Sequence, residues 1–274
     1  MSTAIPIPLP SPAPAAPPEA EPFPYTATDR AVWRVLVERR LPALEQTVSQ
    51  VYLDGARTIG LSAEDVPQLG ALNARLTPRT GWRAVPTPGF LPAAAFFASL
   101  ARREFPTVRA LRSPAQLDYV EAPDIFHDVF GHVPLHADVA FASFLSRVGA
   151  LGALLRGAPA SAPESSAHVT AQDAHAAPPA DPRITELARL FWFTVEFGLK
   201  AEPTGTRIYG SGLISSHADA ANSLSGACEQ RPFVLDAVIA QPFVTDRLQD
   251  VLFVVEDFRE LDEAVAELER RWRS

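Results

Sequence analysis

The run ITELARLFWFTVEFGLKA, residues 184–201, is apolar on nearly every side. A helix without a polar face has no surface to give to water, so the remaining chain must enclose it. A chain of 274 residues, 47% of them hydrophobic, has the material to do so within one large domain. The other periodic segments supply the surrounding layers. DRAVWRVLVERRLPALEQTV (29–48) shows apolar residues at helical spacing, with Thr28 as the expected N-cap and a break at Pro42. LPAAAFFASLARREF (91–105), with Pro92 near its first turn, and ADVAFASFLSRVGALGALL (137–155) read as further helices. ELDEAVAELERRW (260–272) reads as a charged amphipathic one. GWRAVPTPGF, TRIYGSGLISS and DVLFVVEDF are short β-like pieces. The expected class is mainly α with small strands or hairpins (α+β).

Two tracts stand apart. The first 24 residues hold nine prolines, a composition that removes backbone donors and forbids helix interiors. Residues 1–27 are therefore expected to be a disordered tail and 28–274 the folded domain. Residues 157–182, with five prolines and no aromatic residue, read as a low-complexity excursion from its surface. The net charge of −8 carries no long single-sign run, which argues against nucleic-acid and membrane-surface partners. No apolar stretch reaches membrane-spanning length, and no basic residue precedes Arg30, so neither a spanning helix nor a secretory leader is expected. The single Cys228 builds no disulfide framework. These features together predict a cytoplasmic protein.

Chemistry concentrates in PDIFHDVFGHVPLHAD (123–138), which holds three of the six histidines. On an uninterrupted α-helix His127 and His132 would diverge by roughly 140°. A stop at Gly131 in the left-handed conformation is the expected way to bring them together. His136 and His217 have no such pattern and read as ordinary polar residues. In the stretch RLFWFTVEFGLK (189–200) of the apolar run the only acid amid the bulky apolar residues is Glu196, and a buried carboxylate must be compensated. A helical ion pair to Lys200, four residues on, is one way to do so. Ligation of a metal beside the two histidines is the other. Two imidazoles and a carboxylate suit non-haem Fe(II), where three positions stay open. The same ligand types also serve catalytic zinc in hydrolases.

PDIFHDVFGHVPL, FWFTVEFGL, RIYGSGLISS and QLDYVEAPD, in that setting, resemble the pterin-dependent aromatic amino acid hydroxylases, in particular bacterial phenylalanine 4-hydroxylases without a regulatory domain. The likeness spans residues 80–258 apart from the proline-rich excursion. It implies a single catalytic domain of that type, with His127, His132 and Glu196 as iron ligands. It also implies Phe96 and Asp128 beside the pterin, Arg112 on the substrate carboxylate, and Trp192 and Ser215 in the substrate site. Phe191 departs from the tyrosine that many relatives carry at this position. The implied reaction converts L-phenylalanine to L-tyrosine with O2, Fe(II) and a tetrahydropterin (tetrahydrobiopterin or a relative). Hydroxylation of tyrosine or tryptophan, a zinc hydrolase and an inert binding module are the alternatives. With no long coiled-coil arm at the C-terminus, the resemblance implies a monomer acting on small molecules.

Overall fold

The first helical segment becomes α1 (Ala27–Thr47) in a computed structural model that describes residues 22–89, 91–118, 123–155, 181–244 and 247–273. Its N-cap is Thr26, not Thr28. Thr26 Oγ1 accepts the Asp29 N–H at 3.1 Å, and Asp29 Oδ2 accepts the Thr26 N–H at 2.8 Å. Thr28 has Ala31 at the matching position and forms no such reciprocal box. The helix also runs through Pro42 without a break. Pro42 and Glu38, whose carbonyl loses its donor, are both exposed, which places the missing bond on the solvent side of the helix, where its loss costs least. Residues 22–26, assigned to the tail from composition, are built into the fold. Gln68 pairs with both backbone groups of Phe23, and the Tyr25 hydroxyl donates to the Arg109 carbonyl. Residues 1–21 and most of the excursion, 157–180, lie outside the described residues.

Two helices absent from the periodicity reading follow, α2 (Gln50–Ile59) and α3 (Leu69–Thr80). Next comes a β–α–β unit of β1 (Arg83–Thr87), α4 (Ala93–Ala101) and β2 (Glu104–Val108), whose strands pair in parallel. Glu104 and Phe105, expected at a helix end, thus belong to a strand. Arg103, at φ 59°, turns the chain into it. After α5 (Val139–Leu154), the apolar run begins as α6 (Pro182–Phe191), capped by Asp181. The run then leaves the helix and becomes β3 (Leu199–Glu202), which forms a hairpin with β4 (Gly205–Ile208). The end of TRIYGSGLISS, expected to be β-like, is instead the short helix α7 (Ser211–Ser215), followed by α8 (His217–Leu224). β5 (Glu229–Pro232), α9 (Leu235–Ala240), β6 (Val251–Val255) and α10 (Phe258–Arg273) complete the order. The second sheet runs β4-β3-β6-β5, and only its β3–β4 pair is a hairpin; the other pairings are parallel.

Large rings fill the interior between these elements: Trp33, Tyr52, Trp82, Phe126, Phe130, Phe141, Phe193 and Phe253 are fully buried. His136 is among them, although sequence alone made it an ordinary polar residue. Its ring stacks on Trp82 at 4.7 Å, and neither nitrogen has a hydrogen-bond partner among the described residues. Burial holds its pKa well below 6.5, so the folded protein keeps it neutral. Above the unfolded value both states are neutral and the stability is fully present. As pH falls below about 6.5 the unfolded chain takes up a proton that the folded one refuses, and stability drops by about 1.4 kcal/mol per pH unit. His136→Phe removes both the two unpaired nitrogens and this slope. Its thermal midpoint should exceed that of the parent more at about pH 5.5 than at about pH 8. An equal difference at both would show that His136 is not the titrating group.

Candidate active site

Two short segments wind more loosely than an α-helix, each residue bonding the fifth beyond it: Phe126–His132 and Trp192–Glu196. The bond from the Phe197 N–H to the Trp192 carbonyl, 2.8 Å, shows this winding directly. Such π-turns are uncommon and tend to occur at functional sites. In the first of them, residues five apart come round to the same side, and this unites His127 and His132. Gly131 does not adopt the left-handed conformation expected of it. It is a point of close approach instead: a Cβ there would lie 3.1 Å from the Ser211 carbonyl oxygen. Pro134 has no N–H for the Phe130 carbonyl four residues earlier, and the Tyr52 hydroxyl takes that carbonyl at 2.8 Å. α2 reaches this position because Gly55 lets its backbone rest against Pro134, where a Cβ would sit 1.9 Å from the carbonyl oxygen.

The second π-turn delivers Glu196. His132 Nε2 lies 3.2 Å from His127 Nε2 and 3.3 Å from Glu196 Oε1, and His127 Nε2 lies 3.8 Å from Glu196 Oε2. Metal–ligand bonds of about 2.0–2.2 Å meeting at roughly right angles place ligand atoms about 3 Å apart, so the trio fits one first-row ion. Burial pushes the His127 pKa down to about 4. Burial opposes ionisation of Glu196, yet the two imidazoles and the Ser211 hydroxyl hold its pKa down to about 2. Neutral imidazoles and an anionic carboxylate are the ligating forms. The alternative partner, Lys200, is not there. The chain leaves the helix after Glu196, and Lys200 Nζ donates to the carbonyls of Ala201 and Glu256.

α7 supports this trio with two serines that one helical turn places on the same side. Ser215 Oγ donates its proton to the Ser211 carbonyl, 2.9 Å away, and so must accept from His127 Nδ1 at 3.0 Å. That bond puts the imidazole proton on Nδ1 and leaves the Nε2 lone pair facing the other two side chains. Ser211 Oγ donates to Glu196 Oε2 at 2.7 Å. Ser211→Ala and Ser215→Ala should each weaken metal binding by about 10–100-fold, measured by titration of the metal-free protein. Unchanged affinity in both would deny these hydroxyls an orienting role.

The other expected site residues surround this centre unevenly. Asp128, directly after His127, is buried, and its Oδ2 accepts the Val108 N–H at 2.7 Å; burial pushes its pKa up to about 7. Arg112 is buried and held by Asp124, with Nε to Oδ2 at 2.8 Å and Nη2 to Oδ1 at 3.0 Å. Its third nitrogen, Nη1, makes no hydrogen bond among the described residues. Phe96 is half-buried and meets Phe105 and Phe191 edge-on, and Phe105 in turn lies 4.8 Å from the His132 ring. Trp192 is stacked between Phe197 and Phe243, with its indole N–H buried and without an acceptor among the described residues. None of its ring contacts reaches the trio. Asp124 and Ser211 were missed by sequence reasoning. Asp124 also accepts the His127 N–H at 3.1 Å, and its position three residues before His127 is the signal of a capping acid. Ser211 was legible only as the partner of Ser215 on a helix, and the segment had been read as a strand.

Two imidazoles and one carboxylate converging from two π-turns form the donor set of the non-haem iron oxygenases. The model of the biopterin-dependent aromatic amino acid hydroxylase family matches residues 19–170 and 173–272, and the chain belongs to that family. It is 37% identical over 241 residues to the phenylalanine-4-hydroxylase of Ralstonia nicotianae, covering 88% of this chain and 70% of that protein. Its fold matches the crystal structure of Chromobacterium violaceum phenylalanine hydroxylase with bound iron(III) and 7,8-dihydrobiopterin. The TM-score is 0.76 with 35% identity, over 90% of this chain and 82% of the other. The cobalt-bound structure of the same enzyme matches with a TM-score of 0.78 and 34% identity, over 88% and 79% of the two chains.

Proposed function

We propose that this chain is a phenylalanine 4-monooxygenase, converting L-phenylalanine to L-tyrosine with O2, non-haem Fe(II) and a tetrahydropterin. The observation that carries the reading is the meeting of His127, His132 and Glu196 at one point, with the free edge of the Arg112 guanidinium nearby on the same capping acid. Iron and a reduced pterin supply the electrons for oxygen activation, which no side chain offers. The residues of the chain do the rest. His127, His132 and Glu196 hold the metal from one side. Arg112, its fork braced by Asp124, turns Nη1 to the substrate carboxylate. Phe96 offers an aromatic surface to the pterin, Asp128 a carboxyl group, and Trp192 and Ser215 bound the substrate. Phe191, in edge contact with Phe96, offers no hydroxyl to the pterin side.

The same reading makes the protein a cytoplasmic monomer with no nucleic-acid or membrane partner. The net charge of −8 supports the first exclusion, and among the described residues no single helix is long and apolar enough to cross a membrane. The test is anaerobic loading with Fe(II), then addition of phenylalanine, a tetrahydropterin and oxygen. Tyrosine should form, and formation should require both the metal and the pterin. Pterin consumption without tyrosine would mean a different aromatic substrate, and hydrolytic activity with zinc alone would overturn the reading.

A further inference from the structure

Arg40 lies on α1, 5% exposed, and has no carboxylate partner among its hydrogen bonds. A buried guanidinium is costly unless its donors are satisfied. Here Nε donates to the Ile214 carbonyl at 2.9 Å, Nη2 to the Leu213 carbonyl at 3.0 Å, and Nη1 to His217 Nδ1 at 3.3 Å. All three acceptors belong to α7 and the residue that opens α8. α7 has only five residues, and the chain turns extended at Ser216, so its last carbonyls find no donors further along the helix. A fork of two N–H groups from a 21-residue helix supplies them. The two carbonyls lie between Ser211 and Ser215, whose hydroxyls hold Glu196 and His127.

From this geometry we infer that Arg40 is a positioning residue of the metal centre, pinning α7 so that its two serines keep Glu196 and His127 aimed at the ion. The inference rests on the metal-binding part of the function proposed above. Nothing in the sequence marked Arg40, since it lies 87 residues before His127 in a segment legible only as an amphipathic helix.

The test is titration of the metal-free protein with Co(II), read through its d–d absorption, on Arg40→Met, Arg40→Lys and the Ser211→Ala/Ser215→Ala double variant. Arg40→Met should bind Co(II) about tenfold more weakly, at the lower end of the losses seen for outer ligand partners, with displaced absorption bands. Arg40→Lys, whose ammonium lacks the planar fork, should recover part of the affinity. Added to the serine double variant, Arg40→Met should cost less than about a further twofold, because the path it acts through is already cut. A folded Arg40→Met protein with the parent's affinity and spectrum would overturn the inference, as would a full additive loss on the serine background. Should Arg40→Met fail to fold, Arg40→Lys carries the same readouts: weakened binding with displaced bands supports the inference, and parental behaviour overturns it. If the parent protein itself takes up no Co(II), the metal reading has failed. Uptake by the parent with no effect of Arg40 refutes only the positioning role.

Discussion

Glu196→Ala should yield a folded protein that holds no iron and forms no tyrosine. Glu196 is the only carboxylate of the trio, and its loss leaves two imidazoles to hold the ion. Loss of an outer partner of a ligand costs about 10–100-fold in affinity or activity, and loss of the ligand itself must exceed that. The fold survives because packing does not depend on this side chain. Phe193, Thr194 and Val195 of the same π-turn are buried, and the Thr194 hydroxyl is bonded back to the Leu190 carbonyl. Iron per chain by elemental analysis, far-ultraviolet circular dichroism and tyrosine formation check the three parts. Stoichiometric iron in the folded variant would remove Glu196 from the ligand set.

The same residue shows how far sequence reaches. An acid alone among large apolar side chains is a local contradiction, and such contradictions concentrate where a chain does chemistry. That reasoning needed no neighbours and located Glu196 directly. The histidine pair was harder. Its spacing conflicts with an α-helix, and the proposed remedy, a left-handed Gly131, is a local device drawn from local rules. The protein uses a π-turn instead. That winding is stabilised by groups distant in sequence, namely the Tyr52 hydroxyl on the Phe130 carbonyl and the Ser211 backbone against Gly131.

The misread elements share a cause. The apolar run was read as one helix to residue 201, because a buried helix and a buried strand are equally apolar and periodicity does not separate them. The chain switches at Phe197, where Leu199 and Lys200 find β6 as a partner through register that no local pattern encodes. Pro42 and Thr28 were misjudged for the opposite reason. Both rules used there are local, and exposure decided the first while the position of Asp29 decided the second. Ser211, Asp124 and Arg40 act through side-chain hydrogen bonds spanning 16, 12 and 177 residues at the longest. Asp124 carries a local signal three residues before His127, whereas Ser211 and Arg40 emerge only once the fold is known.

Asp124→Ala should be the most destabilising single change near the site. The carboxylate is 3% exposed and accepts four N–H groups: Nε, Nη2 and the backbone N–H of Arg112, and the backbone N–H of His127. Burial opposes its ionisation, and Arg112 nevertheless holds it below the usual carboxylate range. Its stabilising contribution is therefore fully present above the unfolded pKa near 3.8 and is lost as pH falls through the lower folded value. Removing one partner of a buried pair strands the other, at a cost of about 3–5 kcal/mol out of a total stability of roughly 5–15. The thermal midpoint at neutral pH should fall by about 10 °C. Arg112 also loses the brace that aims Nη1, so KM for phenylalanine should rise in whatever fraction remains folded. Replacing both residues with leucine separates the two effects. An apolar pair of similar volume restores much of the stability, because no charge is left stranded, while the KM defect persists because the fork is gone. Recovery of both stability and KM in that double variant would show that Arg112 never met the substrate.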